Sequence, residues 1–127
     1  MVKQAHCLGM KRELEVAELT EAQTRELLRM TRRVKSMYAD RDGGQRIVRS
    51  LAPLEGRLVE LEGHGGEVRF GIGMKGETRE RIVELLRVEY DMEQRKSNQG
   101  WGMDGNSLRA LENGIDRLAD PETREVE

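Results

Sequence analysis

At 127 residues the chain has the length of one ordinary domain, enough for a modest single core. Hydrophobic and charged residues each make up 36% and aromatics only 3%, so Leu, Val, Ile, Met and Ala must fill that core. A net charge of −2 excludes a bulk attraction to nucleic acid or an anionic membrane, the lone Cys7 excludes an internal disulfide, and no apolar run approaches the ~20 residues of a membrane-spanning helix.

Residues 1–19 read as an N-terminal arm or weak helix: Leu14, Ala17 and Leu19 are apolar, but Gly9 interrupts the start. Helix evidence strengthens at Thr20. Thr20-Glu21-Ala22-Gln23 has the form of a capping box, a hydroxyl at the N-cap and an amide three residues on. Leu27, Met30, Val34, Met37 and Tyr38 then recur on one helical face, with Arg25, Arg29 and Arg32 opposite, as far as Asp40. A short second helix is predicted over 45–52, with Ile47, Val48 and Leu51 inward and Pro53 as its stop.

The period then changes. Residues 57–62 and 67–72 read as strands, the second with Val68, Phe70 and Ile72 alternating, joined by Gly63-His64-Gly65-Gly66. A β-hairpin at about 57–73 is the simplest reading. Helix resumes at Glu77, with Ile82, Leu85, Leu86, Val88 and Met92 as its apolar face and its charges arranged to suit the helix dipole. After a glycine-rich loop, a last helix runs from Ser107, its N-cap, to Ala119, with Leu108, Leu111, Ile115 and Leu118 in a stripe and Asn113-Gly114 weakening it. Asp120-Pro121 could begin one more turn, and residues 120–127 form an acidic tail. The expected fold is therefore mainly α with an inserted β-hairpin (α+β), a small helical bundle in the order α-α-ββ-α-α over residues 20–119.

Few patterns point to chemistry. Gly71-Ile72-Gly73-Met74-Lys75-Gly76 has the G-x-G-x-x-G form, between a predicted strand and a predicted helix, and Glu89 and Glu93 lie near the offset of a ribose-binding acid. Residues 97–106 cannot supply the second parallel strand such a site needs, so a strand-to-helix joint is expected instead. His6, Cys7 and His64 make no zinc spacing, and no pair of carboxylates or Cys/His couple stands out for catalysis. The chain is expected to be non-enzymatic, with no cofactor and no metal.

Two candidate surfaces remain. Arg25, Arg29, Arg32 and Arg33, with Lys35, Arg46 and Arg49, form a basic ridge that could meet phosphate; Arg41 could extend it. Charge opposite an apolar stripe is also what any surface helix shows. Trp101 sits among glycines, where it either anchors a partner or folds back over the core, and burial of so large a ring favours the core. With Val68, Phe70 and Ile72 of the hairpin it makes the candidate partner-binding set. Residues 21–50 carry a net charge of +4 and residues 99–127 a net of −4, which suits head-to-tail contact between copies.

The expectation is a protein-interaction or structural subunit of a homo-oligomeric or multi-protein assembly, in the cytoplasm or a cytosol-assembled particle, with protein partners and no membrane. Adaptors of viral or phage particles have this general character. The alternative is a nucleic-acid-binding regulator using the Arg-rich segment 25–49.

Overall fold

The computed structural model of the chain describes residues 12–71, 74 and 76–126. In chain order the elements are β1 (Arg12–Leu19), α1 (Glu21–Ala39), α2 (Gln45–Leu61), β2 (Gly66–Phe70), α3 (Glu77–Asn98), α4 (Gly105–Ala119) and β3 (Glu122–Val126). The fold is α+β and mainly helical, as expected, and the two helix pairs keep their expected order. The strands account for most of the differences.

The capping box forms. Gln23 N–H donates to Thr20 Oγ1 at 3.1 Å, and Thr20 N–H donates to Gln23 Oε1 at 3.0 Å. From there Leu27, Met30 and Val34 turn inward and Arg25, Arg29 and Arg32 outward. The predicted stop of α2 at Pro53 does not occur: the helix runs through the proline to Leu61, so residues 57–62 are not a strand. Proline in a helix interior costs about 3 kcal/mol. Leu51, Leu54 and Leu58, all buried at helical spacing, stabilise by about 1.5–3 kcal/mol each and outweigh it. Pro53 itself faces outward.

Without a strand at 57–62, β2 takes β1 as its partner. The pairing is antiparallel, with Leu19 opposite Gly66, Ala17 opposite Val68 and Glu15 opposite Phe70. The segment 12–19, expected as arm or weak helix, is thus the central strand. The expected acidic tail is its other neighbour: β3 pairs antiparallel with β1, Val16 opposite Glu122 and Leu14 opposite Arg124. The sheet order is β2-β1-β3.

The inner face of the sheet carries Ala17, Leu19, Val68 and Phe70, which join one core with leucines from all four helices. The buried side chains of this core are aliphatic apart from Phe70 and Tyr90, as the composition requires. Alternation puts Val16, Glu18, Glu67, Arg69, Glu122 and Arg124 on the outer face. Arg124 binds Glu67, Glu18 and Glu122 there. The start of α3 is tied to the sheet by Arg79, which pairs with Glu15 and lies 5.5 Å from the Phe70 ring centre.

Two further expectations change in the second helix pair. Val88 and Met92 are exposed, and Val83 and Tyr90 turn inward with Ile82 and Leu86. The N-cap of α4 is Asp104, whose Oδ1 accepts the Ser107 N–H at 2.8 Å; Ser107 already lies within the helix.

Candidate functional site

The loop between α3 and α4 is short and rich in glycine, and two of its glycines have distinct tasks. Gly100 adopts φ +90°, a left-handed value that ends the helix at little steric cost. Trp101 N–H then donates back to the Lys96 carbonyl at 3.0 Å, which draws the indole over the last turn. Lys96 Nζ lies 5.2 Å from the ring centre, a cation–π distance, and the indole N–H donates to Gln99 Oε1 at 3.2 Å. Gly102, at φ +97°, has no room for a side chain: a Cβ there would sit 2.9 Å from the Lys96 Cβ. Met103 is half-buried against the core, and Asp104 opens α4.

The result is a tryptophan held in place yet 58% exposed. It does not fold back over the core. Burial of its ring is the outcome that ring size alone favours, but the helix cap fixes its position first.

Beneath this loop lies a charge cluster. Glu26 on α1 and Glu89 and Glu93 on α3 are all buried. Arg33 donates from Nη1 to Glu93 Oε2 at 2.7 Å, and its Nη2 stands 3.7 Å from Glu89 Oε2. Lys96 Nζ donates to Glu93 Oε2 at 3.0 Å. Arg25 and Arg29 reach Glu26 at 3.2 and 3.5 Å. Burial acts to raise the Glu93 pKa, but the hydrogen bonds from Arg33 and Lys96 outweigh it and hold the carboxyl below its ordinary value. Glu89 Oε2 has no hydrogen-bond partner among the described residues.

A groove of about 300 Å³ opens beside the cluster, lined by Glu26, Arg29, Met30, Arg33 and Met103. It offers methionine walls, an arginine rim and, close to Met103 along the loop, the Lys96–Trp101 ledge. Such a surface suits an apolar side chain.

The basic ridge is largely neutralised within the chain. Arg25, Arg29 and Arg33 serve the buried glutamates just described, and Arg32 and Lys35 both bind Glu55. Lys35, aided by Arg32 and opposed by burial, holds Glu55 below the ordinary glutamate range. Arg41 lies over the Tyr38 ring at 4.7 Å. Arg46 and Arg49 stand apart, lining a separate groove of about 350 Å³ with Ser50, Pro53 and Thr78. Neither has an ion-pair partner among the described residues.

The side chains of Val68 and Phe70 are buried in the core, which removes them from the surface a partner could touch and leaves only their strand's backbone edge; Ile72 lies outside the described residues. So do Gly73, Lys75, His6 and Cys7. β2, which leads into the G-x-G-x-x-G segment, runs antiparallel to its neighbour, and no parallel pair exists among the described strands. Both ring nitrogens of His64 lie against backbone carbonyls, of Glu60 and Gly65. No group of three His, Cys, Asp or Glu among the described residues could hold a metal ion.

Sequence reasoning missed Glu26, Glu89, Glu93, Lys96 and Met103 as members of one site. A signal existed: Ile82, Leu86, Glu89 and Glu93 share one helical stripe, so two acids sit where apolar residues are due. No protein-family model matches the chain, and no curated protein or solved structure matches it either.

Proposed function

We infer that the chain is a non-enzymatic interaction subunit of a multi-protein assembly, docking its partner on the surface formed by Trp101, Lys96, Met103 and the Arg29–Arg33 rim. One observation carries this reading: Trp101 is 58% exposed on a loop whose backbone is fixed by two left-handed glycines and the cap of α3. A large ring held rigidly in water loses little conformational entropy on binding and buries much apolar area. The partner chemistry that fits is a segment with an apolar anchor for the methionine-walled groove.

Trp101 is the sole tryptophan, so its emission reports the site directly. The test is affinity capture with the wild-type chain and Trp101→Ala side by side, then titration of the captured protein against Trp101 emission. The expected result is a partner lost from the variant, together with a blue shift on titration. Equal capture by both chains, with unmoved emission, overturns the reading.

A second reading rests on Arg46 and Arg49, the members of the predicted basic ridge that no described acid neutralises. Contact with a nucleic-acid backbone through them must weaken steeply as salt rises. It must also vanish in Arg46→Ala/Arg49→Ala. Oligonucleotide binding unchanged in that variant, or absent at low salt, removes it.

A further inference from the structure

β1 is flanked on both sides, so among the described residues the open edges of the sheet belong to β2 and β3. An open edge presents unpaired N–H and C=O groups to any strand that can align with it. What can align is decided by the side chains, and here β2 is complementary to itself. Its sequence is Gly66-Glu67-Val68-Arg69-Phe70. Laid antiparallel against a second β2 about a two-fold axis through Val68, all five residues overlap. Glu67 then faces Arg69 of the other copy, and Arg69 faces its Glu67. Both side chains lie on the outer face of the sheet, 3.7 Å apart within one strand and partly exposed. Directly opposed Glu–Arg pairs are favourable cross-strand neighbours.

The alternatives are disfavoured by the same residues. A slip of one residue would turn one copy's helical layer to the opposite face. A slip of two in either direction brings Glu67 against Glu67 or Arg69 against Arg69. The other edge fails the test: β3 in full overlap sets Arg124 against Arg124, and Pro121, just before it, has no N–H to donate. Charge therefore selects one edge and one register.

We propose that two copies of this chain associate through antiparallel pairing of β2 with β2, merging two three-stranded sheets into one continuous sheet with both helical layers on the same side. This deepens the reading of the chain as an assembly subunit, and rests on it, by naming a second copy as one partner. The interface is isologous and closes at a dimer. It does not involve Trp101, so the two surfaces can fail separately. A solitary chain that still captures a partner through Trp101 would sink the pairing alone. A dimer whose Trp101→Ala variant captures everything the wild type does would sink the Trp101 surface alone.

The test is sedimentation of the full chain under reducing conditions across a dilution series. The wild type is expected to approach twice 14.5 kDa at high concentration and to fall towards 14.5 kDa on dilution. Arg69→Glu sets acid against acid at both cross-strand positions, and Glu67→Arg sets guanidinium against guanidinium at both. Each variant alone is therefore expected to stay at the single-chain mass. Mixed in equal amounts they are complementary at both positions, and the doubled mass returns.

Because Glu67 also binds Arg124, Glu67→Arg could disturb the monomer. Amide exchange of the unmodified chain guards against this. Protection should rise with concentration across residues 66–70 and stay unchanged across residues 122–126. A wild type that remains single at every concentration, a dimer that Arg69→Glu leaves intact, or concentration-dependent protection placed on β3 each overturns the proposal.

Discussion

A Cβ built on Gly114 of α4 would lie 2.9 Å from both Cγ and Cδ1 of Leu27 on α1. Leu27 is fully buried, so its side chain has no free space to swing into. The glycine that weakens α4 as a helix is what lets the two helices approach. Gly114→Ala gains about 1 kcal/mol of helix propensity but overpacks the contact by about 1–3 kcal/mol. The expected net effect is a loss of about 1 kcal/mol, read as a lower urea midpoint. In a Leu27→Ala background the alanine at 114 should cost less or even stabilise. Additive losses would show that the two residues do not constrain each other.

Pro53 sits in the interior of α2 on its exposed side. Pro53→Ala restores one helical N–H and relieves the clash of the ring with the preceding turn, against a gain of about 1 kcal/mol in unfolded-chain entropy. The expected outcome is a chain more stable by about 1–2 kcal/mol, with unchanged helical circular dichroism. An unchanged midpoint would mean that the helix has already relaxed around the ring.

These residues also mark where the sequence is legible. The Thr20–Gln23 box, the stripe of Leu27, Met30 and Val34, and the stripe of Leu108, Leu111, Ile115 and Leu118 each encode their element locally, and each is found as read. Pro53 misleads because a strong local signal is set against a tertiary one, the leucines at 51, 54 and 58, which wins. The strands β1 and β3 are polar except for Leu14, Val16, Ala17, Leu19 and Val126, and their pairing spans almost the whole chain. No local pattern specifies such a partner. Trp101 stands out in the sequence, but its exposure depends on the cap of α3, a backbone feature that composition does not show.

Arg33 is shared between two buried carboxylates, Glu93 at 2.7 Å and Glu89 at 3.7 Å. Arg33→Gln should leave both acids buried with Lys96 as the remaining cation. Breaking a buried pair costs about 3–5 kcal/mol; with the guanidinium 38% exposed, about 1–3 kcal/mol is expected at neutral pH. The sign of the pH dependence follows from Glu93. Its folded pKa lies below the ordinary 4.5, so its stabilisation is complete above that value and is lost as pH falls through the folded pKa. The variant's deficit should therefore shrink as the medium is acidified below 4.5 and Glu93 takes up its proton. Urea midpoints of both chains on each side of that pH check it, and a deficit that stays constant would place the defect in packing.

Trp101 and Gly102 are neighbours with opposite expected roles. Trp101 has its ring in solvent and touches Lys96 and Gln99, so Trp101→Ala removes surface contacts alone. Its effect on stability should stay within about 0.5 kcal/mol. Gly102 holds the loop at φ +97° with the Lys96 Cβ 2.9 Å from where a side chain would start. Gly102→Ala must strain the backbone and push against α3, at a cost of about 1–3 kcal/mol. It should also disturb the ledge, moving Trp101 emission without altering the ring itself. The pair separates the proposed binding residue from the frame that presents it. A Trp101→Ala chain that unfolds early, or a Gly102→Ala chain with wild-type midpoint and emission, would mean that the indole holds the loop in place and the glycine does not.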